Sequence, residues 1–137
     1  MSIRAPLLLL LPVLLCSLAL PAQAAPWTKV RTDKDGTLYV DKASIRKIDG
    51  GRKALTLESF RKPQSAPDGK LYLSVRAQQV YDCDAHTVTL QAQLFYPEAM
   101  AKGEIVGSYK FEAFDAENIE SGSRYDGAFK LVCGKHK

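Results

Sequence analysis

The sequence predicts an α+β domain that is mainly β and ends in a helix. Three observations predict it. Alternation of apolar and polar residues, the period of a half-buried strand, recurs from Trp27 to Phe111. The period then changes: Tyr125, Phe129, Val132 and Cys133 fall on one stripe of a helix. Finally, Cys83 and Cys133 are the only cysteines beyond the first 24 residues, which leaves a single intramolecular pairing.

The first 24 residues read as a secretory signal peptide and are set apart from the fold. Arg4 supplies the basic start, Leu7–Leu20 the short apolar centre, and Ala22-Gln23-Ala24 the small-residue exit. The apolar run is short of the roughly 20 residues that span a bilayer as a helix. Leu15, not a small residue, precedes Cys16, so this reads as an ordinary signal cysteine and not a lipoprotein anchor. Residues 25–137 are enough for one domain, with no second long apolar stretch and no transmembrane segment expected in the exported chain. With 46% hydrophobic and 25% charged residues, the chain is neither a disordered tail nor a polytopic membrane protein. Its net charge of +4 is too mild for a nucleic-acid footprint. Export places the chain in the periplasm or at the cell surface, where paired cysteines oxidise. The Cys83–Cys133 bridge would close a loop of 51 residues. Chain entropy gives such a loop about 4 kcal/mol of stabilisation.

Element by element, Trp27–Arg31 and Thr37–Val40 alternate around the turn Asp33-Lys34-Asp35-Gly36, a hairpin pattern. Asp41 reads as the cap of a short helical turn through Ser44 and Ile45, and Asp49-Gly50-Gly51 breaks the chain. Arg52–Arg61 is the next strand, and residues 62–69, with Pro63, Pro67 and Asp68-Gly69, read as a surface loop. In the long strand from Leu71 to Cys83, Leu71, Leu73, Val75, Ala77, Gln79, Tyr81 and Cys83 share one side, opposite Tyr72, Ser74, Arg76 and Gln78. Thr87–Tyr96 repeats the pattern, with Val88, Leu90, Ala92 and Leu94 on one side, and the short Asp84-Ala85-His86 link makes an antiparallel hairpin. Pro97–Gly103 is a turn with one helical coil at Ala99-Met100-Ala101, and Glu104–Phe111 is a further strand. Ser123-x-x-Asp126 resembles a capping box for the terminal helix and Gly134 its stop, while Gly127 inside it costs about 1 kcal/mol against alanine.

No catalytic set emerges, so no enzyme activity and no cofactor are expected. There is no G-x-S-x-G or phosphate-binding glycine loop, and beyond the signal only His86 and His136 are histidines. Asp82, Asp84 and His86 are the one alternative, a metal or acid/base cluster; the plainer reading is a polar strand end and turn. Cys83 and His86, with Cys133 and His136, share a spacing that zinc sites use, against which stands oxidation on export. Arg46, Lys47, Arg52 and Lys53 cluster about Gly50-Gly51, as an anion- or glycan-attracting rim or as solubilising surface charge. Tyr72 and Arg76, on the polar side of their strand, join these four as candidate binding residues. An exposed subset of the strand aromatics would mark a binding face.

Trp27, the run Thr37-Leu38-Tyr39-Val40-Asp41-x-x-Ser44-Ile45-Arg46, Tyr81-Asp82-Cys83-Asp84, Gly107-Ser108-Tyr109 and the terminal Phe129-Lys130-Leu131-Val132-Cys133 resemble the bacterial surface-adhesin protein E-like family. The resemblance spans residues 25–137. It implies a single antiparallel sheet of about six strands with the C-terminal helix packed on it and tethered by Cys83–Cys133. It also implies a non-enzymatic, exported cell-envelope protein that binds host or envelope proteins through a sheet face. A periplasmic small-ligand or metal-binding protein is the alternative. An open sheet has unpaired edges, so self-pairing into a homodimer is a further expectation.

Overall fold

The computed structural model describes residues 27–111 and 115–134. The expected signal segment, Cys16 and His136 lie outside the described residues. Strands β1 (Trp27–Thr32), β2 (Gly36–Ile48), β3 (Gly51–Ser65), β4 (Leu71–Asp82), β5 (Thr87–Tyr96), β6 (Gly107–Lys110) and β7 (Glu117–Asn118) precede one helix, α1 (Asp126–Cys133). They form one seven-stranded sheet in which β1 to β6 follow chain order and β7 pairs with β5. Every pairing is antiparallel. From β1 to β6 each strand therefore hydrogen-bonds to its chain neighbour, the arrangement that antiparallel turns allow.

Helix α1 lies across one face. Its buried Ala128, Phe129, Val132 and Cys133 meet Leu38, Val40, Ala54, Tyr81 and Val88 in the main core. The predicted apolar stripe is the buried one. Cys133 joins Cys83 with the Cα atoms 5.6 Å apart, so the helix is bonded to the chain just beyond β4. Gly134 ends the helix with φ 61°, its N–H donating to the Lys130 carbonyl. The capping-box expectation fails. Tyr125 occupies the cap position without a side-chain bond, and Ser123 contributes only its carbonyl to the Asp126 N–H. The Asp126 carboxylate instead accepts from Gly122 N–H and Lys130 Nζ.

Four other expectations are corrected. Asp41–Ile45 is a bulge inside β2, not a helical turn. There Asp41 Oδ1 accepts the Ala43 N–H, Ser44 Oγ donates to the Asp41 carbonyl, and Leu55 N–H of β3 donates to Ser44 Oγ. Residues that could cap a helix cap a bulge, because the neighbouring strand supplies the rest of the hydrogen bonds. The 62–69 loop is shorter than expected, since β3 runs to Ser65 with Pro63 inside a register shift, where a strand tolerates a missing N–H. Glu104–Phe111 contracts to the four residues of β6. In β5, Gln78 pairs with Ala92 and Gln79 with Leu90, leaving Gln91 unopposed. This bulge inverts the alternation. Val88 and Leu90 share the helix side with Tyr81 and Gln79, while Ala92 and Leu94 turn to the other face.

Candidate functional site

The middle of the face opposite α1 is built from two adjacent rows of directly paired residues, which share a side in an antiparallel sheet. One row is Lys29, Tyr39, Leu57, Arg76, Leu94 and Ser108; the next is Trp27, Asp41, Leu55, Gln78, Ala92 and Lys110. A loop covers one end of this face. Ser74 Oγ, fully buried, donates to the Glu98 carbonyl at 2.6 Å and accepts the Ala101 N–H at 2.9 Å. Ser59 Oγ accepts the Met100 N–H. These bonds hold Met100 and Ala101 at φ 59° and 57°, left-handed values that β-carbon sterics disfavour. The expected coil at Ala99–Ala101 is thus a strained single turn pinned to the sheet.

Beyond the loop the face is uncovered, and a groove of about 570 Å³ is lined by Trp27, Tyr39, Asp41, Arg76, Met100, Ala101 and Lys102. A smaller depression of about 120 Å³ continues it past Arg76 along Leu55, Gln78, Ala92 and Leu94. The Arg76 guanidinium carbon sits 6.0 Å from the centre of the Trp27 ring, within cation–π range. Among the described residues, Arg76 Nε is the one buried side-chain nitrogen or oxygen without a hydrogen-bond partner. Asp41, the acidic residue in the groove lining, spends Oδ1 on its own bulge. The groove can therefore take a carboxylate or carbonyl at Arg76 and apolar groups on either side of it.

The other predicted residues lie apart from this groove. Arg46 faces Lys53 and Lys47 faces Arg52 across the β2–β3 hairpin, so register divides the four cations between the two sides of the sheet. Arg46 Nη1 donates to the carbonyls of Ala43 and Ile45, and Arg52 Nη1 to that of Val132 in the last turn of α1. Tyr72 packs edge-on against Phe60 and Phe95 in a second, smaller cluster, and burial raises its phenol pKa. Asp82 Oδ1 accepts the N–H groups of Asp84 and Ala85, whereas the His86 ring rests 4.4 Å from Phe129, so the Asp82 side chain serves a turn, Asp84 joins it through its backbone, and His86 makes a packing contact. Among the described residues no three His, Cys, Asp or Glu side chains are grouped to hold a metal ion. With Cys83 and Cys133 joined, neither supplies a thiolate ligand.

A larger cavity of about 790 Å³ opens on the helix side, between the β1–β2 turn and β3. Most of its charges are matched: Arg31 with Asp33, Lys34 with Asp35, and Arg124 with Glu58. Among the described residues, Arg61 and Lys62 in its wall make no ion pair. Sequence reading placed Arg76 among the candidates but missed Trp27, Tyr39, Leu94 and Lys102 as its neighbours. Trp27 was legible as the chain's lone tryptophan at a strand start. Leu94 was not, because the Gln91 bulge decides its side.

A single sheet with one face closed by a pinned helix and the other open makes a one-sided β platform. The chain belongs to the Surface-adhesin protein E family, whose model matches residues 27–134. Its fold is similar to the structure of Haemophilus influenzae protein E, with 18% identity, a TM-score of 0.56, and 77% of this chain and 83% of that one covered. It is likewise similar to the crystal structure of protein E from non-typeable Haemophilus influenzae, at 18% identity and a TM-score of 0.53, covering 77% and 74%. At that identity the likeness is one of fold. No curated protein matches the chain in sequence. Among the described residues, no helix is long and apolar enough to cross a membrane.

Proposed function

We propose that this is an exported, non-enzymatic binding protein of the cell envelope, adhesin-like, that contacts a host or envelope protein through the sheet face opposite α1. The signal-like first 24 residues support export, and membership of a surface-adhesin family supports display. The observation that carries the reading is the uncovered groove around Arg76 and Trp27 on a face that the helix leaves free. Aromatic and arginine side chains are the usual energetic anchors of protein interfaces. Self-pairing through β1 or β6, the two ends of the strand order, belongs to the same proposal, because sheet edges present unpaired backbone groups.

Fractionation of the native organism with protease shaving of intact cells tests display. Loss of the protein from shaved cells supports a surface role, and full protection removes adhesion to host proteins. Light scattering across a concentration series tests self-pairing. A dimer mass at high concentration is expected, and a monomer throughout removes the edge contact.

A further inference from the structure

We infer that the groove at Arg76 is the anchor point for an acidic protein segment, one glutamate or aspartate carboxylate seating against the Arg76 guanidinium with aliphatic neighbours on the adjoining depression. This rests on the open face being the partner surface, and it specifies the partner's chemistry. Charge is the first argument. Lys29, Arg76 and Lys110 occupy the two rows of this face and Lys102 lines the groove, against Asp41 alone among those residues. Hydrogen-bonding capacity is the second. Arg76 lines the groove and, among the described residues, makes no ion pair, so its guanidinium is free to meet a carboxylate, the group its planar fork matches. Shape is the third. Leu55, Ala92 and Leu94 continue the groove as an apolar floor, so a segment with acidic and aliphatic residues two apart would satisfy both parts when extended.

Trp27 is the only tryptophan in the chain and touches the site, so its emission reports occupancy directly. The experiment titrates the exported chain with a short labelled peptide of Glu-Ser-Leu-Ser repeats, which sets glutamate and leucine two apart on one side, and with its counterpart in which glutamine replaces glutamate. Peptide anisotropy and Trp27 fluorescence are followed together. The acidic peptide is expected to bind and to shift Trp27 emission in step, with the neutral peptide weaker by roughly tenfold or more. Arg76→Gln should weaken the acidic peptide by a similar factor, Arg76→Lys by less, and Lys47→Gln, on the helix side of the hairpin, hardly at all. No binding of the acidic peptide overturns the inference. So does binding without a Trp27 response, or equal weakening by Arg76→Gln and Lys47→Gln, which would mean diffuse attraction. Circular-dichroism melts of each variant confirm folding, and the wild-type fluorescence result stands even if Arg76→Gln misfolds. These outcomes leave surface display untouched, because shaving of intact cells decides that separately.

Discussion

Gly127 shows how one residue reverses its meaning when the fold is known. By propensity it weakens α1 by about 1 kcal/mol. In the structure a Cβ there would lie 2.5 Å from the carbonyl oxygen of Val30, the residue that the β1 bulge leaves unopposed. Glycine is what lets the helix lie against β1. Gly127→Ala is therefore expected to destabilise the protein, because overpacking against backbone costs about 1–3 kcal/mol and exceeds the propensity gain. Urea denaturation checks the sign. Asp126 offers a second test. The hydrogen bond from Lys130, then that from Gly122 N–H, holds its carboxyl below the usual range. A lowered folded pKa contributes stability that is present above the ordinary carboxylate pKa and is lost as pH falls through the folded value. Asp126→Asn should lower the melting temperature at neutral pH, and the gap from wild type should close in acid.

At the level of elements, α1 is too short to persist alone: helices of eight residues are marginal in water. It stays because its apolar stripe is buried and because Cys133 bonds it to Cys83, 50 residues away. Reduction, or paired Cys83→Ser and Cys133→Ser, is expected to cost about 4 kcal/mol in urea denaturation. Amide exchange should then rise first in α1. The covering loop is held by Ser59 through one bond and by Ser74 through two. Ser74→Ala removes both bonds that fix Glu98 and Ala101, so a loss of about 1–3 kcal/mol and faster exchange at Ala101 are expected. Which of these elements could be read from sequence follows from where their information resides. The α1 stripe and the β4 alternation are local, so spacing sufficed. The β2 bulge and the inversion in β5 are set by partner strands. Asp41-x-x-Ser44 looks the same whether it caps a helix or a bulge, and nothing in Thr87–Tyr96 marks Gln91 as unopposed.

For the molecule as a whole, the two sides of the sheet divide the work. The helix side holds the core, fixed by Leu38, Val40, Tyr81 and Val88 against α1. The other side keeps Tyr39, Trp27 and Leu94 partly exposed around an arginine. Sequence alternation located Arg76 on the non-core side of β4, but it could not assemble a site drawn from strands β1 to β5 and from a loop. That assembly depends on register, which is a property of pairs. Because the proposed contact is between a partly exposed cation and a carboxylate, partner binding is expected to weaken as salt is raised. The most direct test of the open face is a nuclear magnetic resonance map of the isotope-labelled exported chain, titrated with the acidic peptide or with a partner recovered from cells. Shifts gathered on the Trp27 indole, Tyr39, Arg76 and Leu94 are expected, with α1 unaffected; shifts gathered on α1 or on Lys47 and Arg52 of the helix side would contradict a binding role for this face.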